Sequence, residues 1–143
     1  MPLRRAIHSL HVEHRNQVEA VRVRAGEIAT YPDCVVVCGP IQADPEDPNT
    51  VLNPTLLVEV LSDSTEGFDR GRKAEHYRRC PSLREYVLVS QHEAHLEVMG
   101  RTERGWILVE AGKGEEVLLE SVGCKLVVDA IYQGIFGAPA QAG

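Results

Sequence analysis

Two acidic residues stand where acids are energetically difficult. Asp33 immediately precedes the run Cys34-Val35-Val36-Val37-Cys38, and Glu59 lies inside residues 55–61, TLLVEVL. Both runs are apolar on both faces, the pattern of a strand buried within a sheet. An ionised carboxylate buried without a partner costs several kcal/mol, on the order of what a whole domain has to spare. Such a group needs a cation, strong hydrogen bonds or a raised pKa. Two of them on neighbouring strands can share one divalent ion. Hard oxygen donors suit Mg²⁺ or Mn²⁺, which retain some waters and take a substrate phosphate as a further ligand. The plainer alternative is a strand-end role, with Asp33 after Pro32 capping a turn or facing solvent. Residue types alone leave both open.

Lys73 is the third candidate. It falls on a helix predicted over residues 68–79, with Asp69 at i−4 and Tyr77 at i+4 on the same face. A lysine folded over a carboxylate pair orients a water and offsets charge on a phosphate. The alternative is an i,i+4 ion pair with Asp69 on a solvated face.

The elements that must position these groups follow from periodicity. Leu3, Ile7, Leu10, His14 and Val18, at spacings of three and four on one face, predict a helix over 3–16. Alternation around Val21 and Val23 predicts a strand, Ala25-Gly26-Glu27 a turn, and residues 27–31 a short return strand. Buried strands follow at 34–38, 55–61 and 84–90, with residues 40–54 (Pro40, Pro45, Pro48 and Pro54 among Asp44, Glu46 and Asp47) as an acidic surface loop. Cys80-Pro81 ends the helix. Residues 94–99 and 106–110 read as a hairpin around 101–105. Short strands at 116–119 and 125–128 and a helical end at 129–136 complete the chain, before a frayed tail at 137–143. The order predicts an α/β domain with a mixed central sheet.

The chain has 143 residues, the size of one domain that buries its own core. Composition is that of a globular protein, with 43% hydrophobic and 25% charged residues, and no run reaches the ~20 apolar residues of a membrane span. The N-terminus lacks the apolar stretch of a secretory signal. Four scattered cysteines (Cys34, Cys38, Cys80, Cys124) make no disulfide framework, which predicts a reduced, cytoplasmic setting. A net charge of −6 argues against coating nucleic acid through bulk charge. Local basic clusters remain, at Arg4, Arg5, Arg15, Arg22 and Arg24, and at Arg70, Arg72, Lys73, Arg78, Arg79 and Arg84. Aromatic residues are 5%, too few for a base-stacking platform. His8, His11 and His14, at i, i+3 and i+6, lack the closed ligand geometry of a zinc site. Cys34 and Cys38, at i and i+4 on one strand face, read as core thiols.

The motifs YPDCVVV, NPTLLVEVLSDST, DRGRKAEHY and PSLREYVLVS, in that order, resemble the Uma-two family of restriction-endonuclease-type proteins in the PD-(D/E)XK nuclease superfamily. The resemblance runs from about Val21 to the C-terminal region and is strongest over residues 31–90. It implies a restriction-endonuclease-like core: one domain over 1–143, with a mixed central β-sheet flanked by helices. It further implies a Mg²⁺-dependent endonuclease, or one using Mn²⁺, that hydrolyses phosphodiester bonds of nucleic acid, DNA foremost. Asp33, Glu59 and Lys73 would be catalytic, with the metal held by Asp33, Glu59 and the main-chain carbonyl of Val60. Asp69, Tyr77 and Ser62 would support them, Ser62 and Thr65 matching an LS-x-ST loop that caps the helix. Arg70, Arg72 and the N-terminal arginines would contact the nucleic-acid backbone. The superfamily's usual lysine, two residues after the acid, is Leu61 here, and the family's helix lysine is Lys73. Residues 1–20 match the family's longer N-terminal region poorly. That points to an uncovered flank of the sheet, covered in a homodimer, and to an alternative role: an inactive nucleic-acid- or protein-binding module that keeps the fold.

Overall fold

The computed structural model describes residues 3, 5, 16–18, 22–25, 28–63, 67 and 69–136. Its centre is a six-stranded mixed sheet in the order β1-β4-β7-β8-β9-β10. The strands are β1 (Asn16–Val18), β4 (Cys34–Val37), β7 (Leu56–Val60), β8 (Glu85–Val89), β9 (His95–Thr102) and β10 (Gly105–Gly112). Only β7 and β8 run parallel; the other neighbours are antiparallel. Every residue of β4, β7 and β8 is buried. Such strands need cover on both faces, which is why they read as unbroken apolar runs.

One face packs Val36, Val58, Val60, Val87, Val89 and Val98 against a C-terminal layer. That layer is the hairpin β11 (Glu116–Leu119) and β12 (Cys124–Val127), followed by the short helix α2 (Val128–Ile131). The other face packs Val35, Val37, Leu57 and Leu88 beneath Val23, Val51, Ala74, Tyr77 and Leu83. Val23 and Val51 come from a second sheet, β3-β2-β6-β5, built from β2 (Arg22–Ala25), β3 (Ile28–Thr30), β5 (Ala43–Asp44) and β6 (Asp47–Val51). Ala74 and Tyr77 come from α1 (Ala74–Arg78), which continues a π-helical turn over Asp69–Lys73. This segment is the crossover that a parallel β7–β8 pair requires.

The mixed sheet and the three buried strands agree with the sequence reading. Among the described residues, a second sheet and a hairpin share with the helices the covering of the central sheet. Residues 40–54 are not a plain loop: β5 and β6 pair there, and β6 joins β2 in parallel through Arg22↔Thr50 and Val23↔Val51. The Arg22 guanidinium, reserved by sequence for nucleic acid, donates instead to Thr50 Oγ1 and Asp47 Oδ2, and Arg24 pairs with Asp44. The Thr50 hydroxyl and then the Asn49 backbone N–H, both donating to Asp47, hold its carboxyl below the usual range against a partial desolvation, and the charges of Arg22 and Arg24 add to this. Cys38 lies beyond the end of β4 and is exposed, so it is not a core partner of buried Cys34. Most of the helix predicted at 3–16, the turn glycine Gly26 and the tail at 137–143 lie outside the described residues. Asn16, the last residue of that predicted helix, is in β1 and pairs with β4 at Val37. Leu3 is buried in the core.

Candidate active site

Within β7, Leu57, Glu59 and Leu61 alternate with Val58 and Val60, so Glu59 faces α1 and the second sheet. It is 5% exposed. Lys73 Nζ donates to Glu59 Oε1 at 2.7 Å, and Tyr77 Oη donates to Oε2 at 3.0 Å. Tyr77 has already used its proton on Glu59, so the 2.7 Å bond between Thr30 Oγ1 and Tyr77 Oη has threonine as donor. The carboxylate therefore sits at the head of a directed chain, Thr30 to Tyr77 to Glu59, with an ammonium at its side. Lys73 is 9% exposed and its counter-charge is Glu59, across 14 residues, rather than a solvated i,i+4 pair alone. The side chain of Asp69 lies outside the described residues.

Asp33 is the residue before β4. The β4–β7 register pairs Cys34 with Val58 and Val35 with Leu57, so one residue further Asp33 stands opposite Glu59, on the same face. Its Oδ2 accepts the Val60 N–H at 2.7 Å. Directly opposed residues of antiparallel strands have Cβ atoms ~5 Å apart, close enough for both carboxylates to reach one ion. The donor set is hard oxygen, and a carboxylate offers about four lone-pair sites, so the hydrogen bonds described here and a bound cation are compatible on the same side chains. The residues fit a divalent ion.

Arg101 fixes the helix that delivers Lys73 and Tyr77. Its guanidinium donates to the carbonyls of Arg78, Cys80 and Leu83, satisfying acceptors just past the helix end. It lies 4.6 Å over the Trp106 ring, which neighbours Tyr86, which meets Tyr77 edge-on at 5.7 Å. Burial raises the Tyr86 phenol above its ordinary 10; Arg78 opposes this and the charges of Glu59 and Glu97 add to it. The sequence reading placed Arg101 in a turn, whereas it is the β9 residue paired with Trp106.

Of the remaining sequence candidates, Val60 is buried in β7, Ser62 is half-buried just beyond it, and Arg72 is exposed on the π-helical turn. The side chain of Arg70, and Thr65 altogether, lie outside the described residues. Sequence reasoning passed over two buried carboxylates, Glu85 and Glu97. A charge inside an otherwise apolar strand, the signal used for Glu59, would have found Glu85. A concavity of about 750 Å³, lined by Thr55, Arg84, Glu85, Arg101, Ile107 and Leu118 among others, opens near the other end of β7 and β8. It includes none of Asp33, Glu59, Lys73 and Tyr77.

This mixed sheet, with its crossover helix and paired acids, is that of a restriction-endonuclease-like protein. The chain belongs to the Uma2 family, whose model is described as "Putative restriction endonuclease" and matches residues 4–129. That match takes in N-terminal residues which the motif resemblance, starting near Val21, did not cover. Restriction-endonuclease-like families generally use divalent metals. The chain is 36% identical over 107 residues to the uncharacterised protein slr1290 of Synechocystis sp., covering 74% of this chain and 55% of that protein. It is 36% identical over 91 residues to the uncharacterised protein sll1609 of the same organism, covering 61% and 50%. The chain thus spans about half the length of the curated relatives it matches. The crystal structure titled as "a putative nuclease belonging to DUF820", from Anabaena variabilis, superposes with a TM-score of 0.65 at 13% identity, over 94% of this chain and 76% of that one. At that identity the likeness is one of fold. Among the described residues no helix is long and apolar enough to cross a membrane.

Proposed function

We propose that this chain is a metal-dependent endonuclease that hydrolyses phosphodiester bonds of DNA, with Asp33, Glu59 and Lys73 as its catalytic residues. The observation that carries the reading is the buried contact of Lys73 Nζ with Glu59 Oε1 at 2.7 Å, with Asp33 in register opposite Glu59. A lysine placed this deeply on an acid is the arrangement that metal-assisted hydrolysis asks for, and solvated helix faces do not produce it.

Asp33, Glu59 and the Val60 main-chain carbonyl would hold the ion, Mg²⁺ or Mn²⁺. Bound there, such an ion polarises a phosphate oxygen and lowers the pKa of a coordinated water. Tyr77 fixes the Glu59 carboxylate in one rotamer, and Thr30 fixes Tyr77. Lys73, donating from its ammonium to Glu59, would donate also to the attacking water to hold it in line, and would stabilise negative charge as it builds on the phosphate. Arg70 and Arg72, on the turn leading into Lys73, contact backbone phosphates, which position the substrate without reading sequence. Ser62 and Asp69 support the turn.

A second reading rests on the same contacts. Lys73 and Tyr77 already compensate Glu59, so the fold is also suited to a binding module that performs no cleavage. Calorimetric titration of Mn²⁺ into wild type and Glu59→Gln, followed by plasmid cleavage in Mg²⁺ or Mn²⁺, separates the two. The nuclease reading expects saturable binding that weakens at least tenfold in Glu59→Gln and in Asp33→Asn. It also expects cleavage that falls at least a hundredfold in Lys73→Met. Binding of DNA without cleavage, and unaffected by Glu59→Gln, establishes the module instead.

A further inference from the structure

The face of the central sheet that carries Glu59 holds another set of metal-ligating side chains. Reading across the strands in register, Glu59 faces Leu88, Leu88 faces Glu97, and Glu97 faces Glu110. His95 lies two residues before Glu97 on β9, and so on the same face. One ligand atom from each of His95, Glu97 and Glu110 can be chosen so that all three lie within 4.8 Å of one another. We propose that His95, Glu97 and Glu110 form a second divalent-cation site, selective for a late first-row transition ion such as Co²⁺ or Zn²⁺ over Mg²⁺ and Mn²⁺.

Three observations support it. The first is spacing. His95 Nε2 and Glu110 Oε1 are 3.0 Å apart, and two metal–ligand bonds of about 2.1 Å meeting near a right angle span about 3.0 Å. The pair already has the edge length of a coordination polyhedron. The second is charge. Glu97 and Glu110 stand directly opposite across antiparallel strands, so two anionic oxygen donors meet beside the His95 imidazole. The third is access. The Glu110 side chain is 59% exposed and that of His95 27%, leaving an open side for entry and for remaining water ligands. One imidazole with two carboxylates favours transition ions, whereas Mg²⁺ takes oxygen. Binding requires the imidazole nitrogen facing Glu110 to be unprotonated, so it releases a proton at pH values where that nitrogen carries one.

This site is separate from the Asp33–Glu59 pair. Two strand spacings, about 10 Å, lie between Glu59 and Glu97, with the buried Leu88 side chain between them. Ions sharing one phosphate sit ~4 Å apart, so this is not the partner ion of a two-metal centre. Tyr132 anchors the His95 end, donating from its hydroxyl to the His95 carbonyl at 3.0 Å.

Co²⁺ titrated into metal-free full-length protein, followed by its visible absorption and by calorimetry, tests the proposal. Wild type should bind saturably, and His95→Gln and Glu110→Gln should each weaken binding at least tenfold. Glu59→Gln and Asp33→Asn should leave this binding unchanged, whatever they do at their own site. Far-UV circular dichroism checks that the variants fold, and exposed Glu110 is the position least able to disturb the core. No saturable Co²⁺ binding in wild type overturns the proposal. So does binding that survives both His95→Gln and Glu110→Gln, or binding lost in Glu59→Gln alone.

Discussion

Glu59 and Glu85 invite direct comparison. Both lie in five-residue strands with no exposed position, β7 and β8, which are paired in parallel. They are 5% and 7% exposed. They face opposite sides of the sheet: Glu59 shares its face with Leu57 and Leu61, Glu85 with Val87 and Val89. Their partners differ in kind. Glu85 accepts from the backbone N–H and the hydroxyl of Ser121, both in the turn between β11 and β12. These donors are neutral and short-tethered, and they bind the C-terminal layer to the sheet. Glu59 accepts from an ammonium on a four-carbon stem and from a phenol. An ammonium on a flexible stem can re-aim at a new charge. Burial alone therefore does not distinguish the two carboxylates; the mobility and charge of their donors do.

Substitutions on the two sides should separate them. Lys73→Met leaves Glu59 buried without its cation and should lower stability by about 3–5 kcal/mol in urea unfolding. Glu59→Gln in the same chain should return part of that loss, since the uncompensated charge is gone. Tyr77→Phe removes a hydrogen bond to a carboxylate and the acceptor of Thr30, and should cost about 1.5–3 kcal/mol. Ser121→Ala should cost only about 1 kcal/mol, because the Ser121 N–H still reaches Glu85. If Ser121→Ala proved as damaging as Lys73→Met, the distinction between a fixed and a displaceable donor would fail.

The smallest effect is expected from Tyr132, on the Glu85 side of the sheet. Burial, chiefly, pushes its phenol from 10 up to about 12. The folded value exceeds the unfolded one, so its contribution is complete below pH 10. It declines as pH rises from about 10 toward 12. Tyr132→Phe should flatten that alkaline slope in urea midpoints taken from pH 9 to 12, leaving the Glu59 side unaffected.

Much of this was legible in the sequence. Runs of Val and Leu fix β4, β7 and β8 because full burial admits little else, and the charges at Asp33 and Glu59 stand out against them. The helix over 68–79 was legible from its apolar spacing, and Lys73 from its place on it. The hairpin at 43–51 was hidden because Pro45 sits in its tight turn and Pro48 at a position of β6 outside the paired register, where a missing N–H is tolerated. What shapes it is the tie of Arg22 to Asp47 and Thr50, a contact across 25 to 28 residues. Glu97 and Glu110 read as the polar half of an alternating hairpin. That they oppose one another, beside His95, depends on a register no local pattern specifies. Arg101 was hidden for the same reason: its carbonyl partners lie 18 to 23 residues away.

The crossover between β7 and β8 has a kinetic consequence. It delivers Lys73 and Tyr77, and the Glu59 contacts it makes bridge 14 and 18 residues, while Thr30 reaches Tyr77 across 47. Loop closure must precede contacts of such separation. The acid, its ammonium and its phenol are therefore expected to assemble late, in step with the docking of β8 beside β7. In refolding, protection of the Glu59 pocket should appear together with the parallel pairing, and a nascent chain halted before residue 85 should have no formed site to misuse.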